Sequence, residues 1–227
     1  MTTLSLGRDS RFMPAFFGTI AIVCFAYAMF ALLLMHGLRP DYAPAIHMIS
    51  EYAVGQYGWV MTTCFLAMAG GCLMLLLGLA RSGPGSLLAL AGTLLLALPS
   101  VGLVVSTLFP MDGTGAPTTR TGEIHDISFL VNVVSIFLST VLLSIGFGGN
   151  PRWRGFQRAS VILSLLVVVA FILQFLTIQM HAYFGLANRF FVAVLFAWFF
   201  ATSMRLRRMP IEQRLTESGH LKHDSDP

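Results

Sequence analysis

Charged residues are scarce in this chain of 227 residues. Asp, Glu, Lys and Arg together make up 11% of it, whereas hydrophobic residues make up 56% and the mean hydropathy is +0.77. A soluble domain carries about 25% charged residues, so the chain has too little polar surface to dissolve. The composition excludes a soluble globular protein and predicts an integral membrane protein.

Lysine and cysteine are almost absent. Lys222 is the single lysine and the arginines are scattered at the ends of apolar runs. The basic pI of 9.3 therefore fits orientation in a bilayer rather than a nucleic-acid surface. Cys24, Cys64 and Cys72 all lie inside apolar runs. That placement excludes a disulfide framework, a CxxC motif and a cysteine metal site.

Long apolar runs are abundant instead. Six stretches reach the roughly 20 residues that cross a bilayer as a helix, namely residues 14–35, 58–80, 86–109, 126–147, 159–180 and 186–204. Continuous runs of this length favour helices over the short alternating strands of a barrel. Pro99 should kink the third helix. We predict an all-α, polytopic membrane protein with a bundle of six transmembrane helices.

The basic residues indicate the orientation of this bundle. Of the fourteen Lys and Arg residues, only Arg39, Arg120 and Arg189 fall outside if both termini are cytoplasmic, as the positive-inside rule requires. We predict a cell inner membrane protein with a membrane domain of residues 14–206. Cytoplasmic tails of residues 1–13 and 207–227 would flank it.

The C-terminal tail is rich in charge. We expect it to be frayed after Met209. His220 and His223 lie in this tail, and we expect them to be solvated rather than metal-bound.

Polar side chains collect at the predicted outer boundary of the membrane. Loop one (about residues 36–57), loop three (residues 108–126) and loop five (residues 181–185) lie on that side. Their histidines and carboxylates are His36, His47, His125 and His181, with Asp41, Glu51, Asp112, Glu123 and Asp126. Such a concentration makes the outer boundary the place to look for a site.

Two predicted spans also carry polar residues on one helical face. Spacings of three and four residues define the face of span four, which consists of His125, Ser128, Asn132, Ser135 and Ser139. On span five the corresponding face consists of Gln174, Thr177 and His181. Polar groups in lipid are costly unless they face protein or a cavity. Either these faces line an outward-opening cavity, with Ser128, Asn132, Gln174 and His181 binding a ligand, or they hydrogen-bond between helices without one.

A metal site would draw on His125, Asp112 and His181, with His47 as a further candidate. Imidazole and carboxylate suit zinc. No HxxxH or HExxH spacing is present, so this hypothesis rests on co-localisation alone, and the histidines could equally anchor helix ends. Haem between His125 and His181 is disfavoured, because two isolated boundary histidines are a weak haem signal.

Catalysis is a further hypothesis. Ser50, Glu51, Asp112 and His125 supply the residue types of a nucleophile, a base and an orienting group. No GxSxG elbow singles out the serine, and a structural ion-pair network would use the same residue types. A hydrolase or transferase therefore remains an alternative.

Arg189 opens span six in the stretch LANRFF. A guanidinium at membrane depth needs a partner. Glu51 or Asp112 would be the simplest partner within the chain. A ligand phosphate or carboxylate would serve otherwise, which makes Arg189 a ligand-binding candidate.

Four stretches carry a resemblance to a known family: HMISEYAVGQYGWVM at 47–61, LFPMD at 108–112, TGEIHD at 121–126 and LANRF at 186–190. Over about residues 14–206 the chain resembles the bacterial six-helix membrane family catalogued as domain of unknown function nine-nine-eight. The matching positions are Ser50, Glu51, Gly55, Gly58, Trp59, Phe109, Pro110, Asp112, Gly122, His125 and Arg189.

The resemblance implies a membrane fold with an outer polar cluster and brings no activity with it. A more distant similarity, to eukaryotic six-helix membrane proteins linked to lipid handling, is only an analogy. Our first hypothesis is a pocket for a lipid headgroup or small amphiphile, so the expected partner is membrane lipid and not nucleic acid. The alternatives are the enzyme above, with or without metal, and a structural or accessory membrane subunit.

Overall fold

The structure is a computed structural model that describes the backbone of residues 6–113 and 115–223 and the side chains of residues 13–113 and 115–209. This part of the chain is helical and contains no strand. The helices are α1 (Leu6–Leu38), α2 (Gly58–Ser82), α3 (Leu87–Leu95), α4 (Ala97–Leu108), α5 (Arg120–Gly146), α6 (Pro151–Gln179) and α7 (Phe184–His223). Short 3-10 helices occupy Ile49–Ala53 and Phe147–Gly149.

Six segments are long and apolar enough to cross a membrane, which confirms the predicted fold class. They are Met13–Leu38, Gly58–Ser82, Leu87–Leu108, Arg120–Gly149, Pro151–Gln179 and Phe184–Met209. Most boundaries lie within a few residues of the predicted ones. Span four starts earlier and span five much earlier than predicted, because Thr119 and Asn150 cap their helices.

Span three is broken, as Pro99 predicts. Leu96 separates α3 from α4. Proline has no N–H to donate to the carbonyl group four residues earlier, that of Leu95. The interruption therefore falls one turn before the proline and leaves span three as two short helices.

The six spans form a closed ring. Each span packs against its neighbours in sequence, and α7 packs against α1 to complete the circle. Phe25 of α1 stacks on Phe199 of α7 with 4.5 Å between ring centroids, and neither side chain is exposed. Loops one, three and five lie at one end of this ring, which we call the odd-loop end.

Two buried tryptophans stabilise the half of the ring that lies away from the odd-loop end. Nε1 of Trp198 donates to the hydroxyl oxygens of Ser144 and Ser160, at 3.2 and 3.0 Å. Trp153 stacks on Phe147 and donates to Ser82. These bonds connect spans two, four, five and six at that end.

One expectation about the C-terminal tail is wrong. Helix α7 continues beyond the span, from Met209 to His223, instead of fraying at once. Glu212, Gln213, Arg214 and Leu215 lie in this segment and are good helix formers. The solvation of His220 and His223 stays a prediction, because their side chains lie outside the described part.

Candidate functional site

A cavity lies inside the ring in the half nearer the odd-loop end. Its walls come from α1, the 3-10 helix of loop one, α2, α4, α5 and α7, and its volume is about 100 Å³. An apolar cavity of about 150 Å³ is large enough to hold benzene, so this space suits a small group or part of an alkyl chain. The polar residues on its wall are Ser50, Ser106, His125, Asn132 and Asn188.

Asn132 is the polar residue of this wall that has an unsatisfied atom. Its side chain is 3% exposed, and its Oδ1 atom is enclosed and accepts no hydrogen bond from the described residues. Gly102 of α4 lies directly opposite, where a Cβ atom would collide with Oδ1. The missing side chain of Gly102 thus makes room for an Oδ1 atom that has no hydrogen-bond partner among the described residues.

Three other polar side chains of the wall, those of His125, Ser106 and Asn188, make hydrogen bonds within the protein. His125 Nδ1 donates to the Phe109 carbonyl oxygen at 2.9 Å, so Nε2 is the ring nitrogen that remains for a further hydrogen bond. The Ser106 hydroxyl lies 3.2 Å from that of Ser128. Asn188 Oδ1 accepts the backbone N–H of Ile49 at 3.1 Å.

The polar face of span four both borders the cavity and hydrogen-bonds to a neighbouring helix, and its binding of a ligand stays a prediction. Its residues are all buried, as predicted for a face inside the bundle. Ser128 and Ser139 donate to the carbonyl oxygens of Gly102 and Gly92, both at 2.7 Å, and so connect span four to span three. His125 and Asn132 line the cavity, and Ser135 bonds to carbonyls of its own helix.

Asp112 lies in loop three and closes that loop onto the start of α5. It accepts the backbone N–H and the hydroxyl of Thr119, each at 2.8 Å. These bonds, the backbone one above all, hold the pKa of the Asp112 carboxyl below its ordinary value. A Cβ atom at Gly122 would collide with this carboxylate, so glycine is required for the approach.

Arg189 binds loop one rather than Glu51 or Asp112, so the predicted pairing within the chain is wrong. Its Nη1 donates to the carbonyl oxygens of Pro44, His47 and Gly185, and its Nη2 to the Tyr52 hydroxyl. Its Nε donates to His36 Nε2 at 2.8 Å. Loop one is mostly irregular, so not all of its backbone carbonyl groups are used in helical hydrogen bonds. Those of Pro44 and His47 accept hydrogen bonds from the guanidinium of Arg189.

Glu51 and Ser50 belong to the same loop. Glu51 accepts from the backbone N–H of Met48 and lies 2.8 Å from Nδ1 of His47. These contacts cap the 3-10 helix that contains both residues. Ser50 reaches the cavity wall.

The predicted face of span five does not extend to His181. Helix α6 ends at Gln179, and His181 adopts a left-handed conformation with φ of 51° in an exposed turn. This C-terminal turn therefore removes His181 from the face of Gln174 and Thr177. Gln174 is buried on α6, and its Oε1 also lacks a partner among the described residues, but it does not line the cavity.

The three predicted metal ligands lie in different surroundings: Asp112 in loop three, His125 on the cavity wall and His181 in loop five. Within the described residues, no three His, Cys, Asp or Glu side chains come close enough to share a metal ion. Of the predicted catalytic residues, Ser50 and His125 both line the cavity, whereas Glu51 makes its contacts in loop one and Asp112 in loop three.

Residues 10–205 match the model of a family described as "Protein of unknown function (DUF998)". The chain belongs to this family. No curated protein and no solved structure matches the chain. The membership confirms the resemblance seen in the sequence and extends over all six spans.

The four stretches that resemble the DUF998 family contact one another in two pairs. LFPMD meets TGEIHD through the Phe109–His125 bond and through Asp112, which packs against Gly122. HMISEY meets LANRF through the bonds from Arg189 to His47 and from Ile49 to Asn188. Each pair fastens a loop to a helix beside the cavity, so the pairs frame the odd-loop end of this space.

Several residues of this region were missed by sequence reasoning. Tyr52 and Asn188 make central contacts, and Gly102 makes space for Asn132. His36 was placed at the outer boundary, but its bond to Arg189 was not foreseen. Tyr52 and Asn188 carry hydrogen-bonding side chains in or near a loop, and this placement could have indicated their contacts from the sequence. Nothing in the spacing of Gly102 distinguished it from the other glycines of the spans.

Proposed function

We propose that the cavity binds a small neutral amphiphile whose apolar body lies among the carbon side chains and whose hydroxyl or amide group bonds to Asn132. The observation that carries this proposal is that Asn132 lines a 100 Å³ space while its buried Oδ1 atom, packed against Gly102, accepts no hydrogen bond from the described residues. A buried polar group without a partner costs about 1–3 kcal/mol. A ligand that supplies a hydrogen-bond donor would recover part of that cost.

The chemistry of the wall favours a neutral ligand. Apart from His125 the lining contains no ionisable group except the thiol of Cys64. Arg189 and Asp112 do not line this cavity, and both make hydrogen bonds in the loops. A charged headgroup would therefore enter an apolar space without a counter-charge, which is costly.

The depth of Asn132 also favours an amphiphile from the membrane. Asn132 lies twelve residues into α5, which corresponds to about 18 Å at 1.5 Å per residue. That places its amide near the middle of the span. If the positive-inside bias gives the true orientation, the odd-loop end faces outward and the cavity occupies the outer half of the membrane.

A membrane hydrolase or transferase receives less support. Its residues would be Ser50, Glu51, Asp112 and His125, and the contacts of Glu51 and Asp112 fix separate loops. A structural or accessory subunit is favoured by those same loop contacts. It leaves the enclosed Asn132 amide without an explanation, so we place it second.

Equilibrium photolabelling tests the proposal with two diazirine probes of equal chain length, an alkanol and the corresponding alkane. The wild type should be labelled more strongly by the alkanol than by the alkane. The alkanol labels should lie on the parts of α5 and α7 that line the cavity. Asn132→Leu should weaken alkanol labelling about tenfold, within the cost of an unpaired hydroxyl, and leave alkane labelling unchanged.

Gln174→Leu is the matched control, because Gln174 is a second buried amide with an unpartnered oxygen and lies off the cavity. Gln174→Leu should show the same alkanol and alkane labelling as the wild type. Equal loss in both variants, or alkanol labels spread evenly over the lipid-facing surface, would overturn the proposal.

A further inference from the structure

A groove runs along the outside of the ring where α1 meets α7, at the odd-loop end. Its volume is about 200 Å³. Carbon side chains such as Met29, Leu33 and Ala193 line most of it, while His36 and Arg189 lie at its polar end. It differs from the cavity described above, although Leu32, Ile49 and Val192 belong to both walls.

The groove lies on segments that cross the membrane. Met29 and Leu33 belong to span one, and Ala193 belongs to span six. Leu33 is 63% exposed on the ring surface. In a bilayer such a surface contacts lipid, so the natural occupant of an apolar groove there is an alkyl chain.

The charge of Arg189 has no anionic partner among its described contacts. Its acceptors are three backbone carbonyls, the Tyr52 hydroxyl and His36. His36 accepts through Nε2 because its Nδ1 faces the Leu32 carbonyl at 2.9 Å, and an imidazole that accepts a hydrogen bond is neutral. No described ion pair includes Arg189.

One nitrogen of the Arg189 guanidinium, Nη2, also has a hydrogen for which no acceptor is described. The guanidinium carries two hydrogens on Nη2, and the described contacts of that nitrogen consist of one bond, to Tyr52. A partly buried cation at membrane depth is stabilised by an anion. Phosphate oxygens are strong acceptors for arginine.

We propose that the α1–α7 groove binds an anionic membrane phospholipid, with one chain along the groove and the phosphate group beside Nη2 of Arg189. Two independent features support the same ligand: an apolar groove open to lipid, and at its end a positive charge with no anionic partner among its described contacts. The groove site does not depend on ligand binding in the cavity, because Ala193 and Arg189 are absent from the cavity wall.

Native mass spectrometry from mixed nanodiscs tests the groove. Phosphatidylglycerol and phosphatidylcholine with identical chains serve as probes. The wild type should retain phosphatidylglycerol about tenfold more than phosphatidylcholine, equivalent to about 1.4 kcal/mol. Ala193→Phe fills the groove and should abolish this retention.

Ala197→Phe is the matched control, since Ala197 is exposed one turn further along α7 and lies outside the groove. It should behave like the wild type. Arg189→Gln should remove the preference between the two lipids while leaving some retention of both. Because that variant also loses loop contacts, Ala193→Phe decides the matter if Arg189→Gln does not fold.

Equal retention of the two lipids by the wild type, or unchanged phosphatidylglycerol retention by Ala193→Phe, would refute the proposal. The outcome is separable from the cavity experiment. Asn132→Leu should not alter phosphatidylglycerol retention, and Ala193→Phe should not alter the alkanol preference at equilibrium.

Discussion

The imidazole of His125 donates from Nδ1 to the carbonyl oxygen of Phe109, 2.9 Å away, and this bond joins the first turns of span four to the end of span three. Phe109 follows the last residue of α4, where carbonyl groups lack helical partners. The histidine side chain is 2% exposed. It thus satisfies a helix terminus and forms part of the cavity wall.

Replacing this histidine should destabilise the bundle. His125→Ala leaves the Phe109 carbonyl without its donor and opens space in a buried wall, so we expect a loss of about 1–3 kcal/mol. Thermal unfolding of the purified protein in detergent measures it as a lower Tm. His181→Ala, in an exposed turn, is the control, and an equal Tm for both variants would contradict a structural bond at His125.

Gly122 should not tolerate a side chain. The Cβ atom of Gly122→Ala would occupy the position of the Asp112 carboxylate, so Asp112 must leave and release the Thr119 amide. Hydrogen exchange should show faster exchange at Thr119. Gly155→Ala adds a methyl group where nothing lies within 4 Å and should leave this exchange unchanged; protection retained in Gly122→Ala would disprove the close approach.

Loop three should become less protected in acid. Thr119 stabilises the ionised form of Asp112 and lowers its pKa when folded. A lowered pKa gives stability that is present above the unfolded value of about 3.9 and is lost as the pH falls through the folded value. The protection factor of the Thr119 amide should therefore fall below about pH 4 in the wild type.

Asp112→Asn provides the reference for this pH dependence, because the amide keeps an acceptor oxygen but does not ionise. Its Thr119 protection should be lower at neutral pH and nearly constant with pH. A wild type whose protection is as flat as that of Asp112→Asn would show that the carboxylate does not close the loop.

The orientation can be checked with single cysteines. Thr118→Cys in loop three and Arg81→Cys at the end of span two lie at opposite ends of the ring, and both positions are exposed. In intact cells a membrane-impermeant maleimide should label Thr118→Cys, and should label Arg81→Cys only after permeabilisation. The wild type, with Cys24, Cys64 and Cys72 inside spans, is the background control. The reverse pattern would invert the predicted topology.

The spans could be predicted because the bilayer fixes both their length and their composition. Pro99 marked the break in span three for a local reason, the missing N–H. The buried face of span four followed from periodicity alone. These features depend on residues close together in the chain, which a single sequence displays directly.

The contacts of Arg189 and Asn132 depend on residues far apart in the chain. Arg189 meets carbonyl groups of Pro44 and His47, which are positioned by the irregular path of loop one. The Oδ1 atom of Asn132 has no partner among the described residues because it faces Gly102, where α4 and α5 meet. His181 was misplaced for a local reason, because a left-handed turn at a non-glycine residue is uncommon.

The central claim is that Asn132 holds a ligand inside the ring, and native mass spectrometry of the purified protein tests it most directly. We expect the wild type and Gln174→Leu to release the same small neutral amphiphile on collisional activation, and Asn132→Leu to be free of it. A bare protein mass for the folded wild type, or the same bound mass in all three proteins, would contradict the claim.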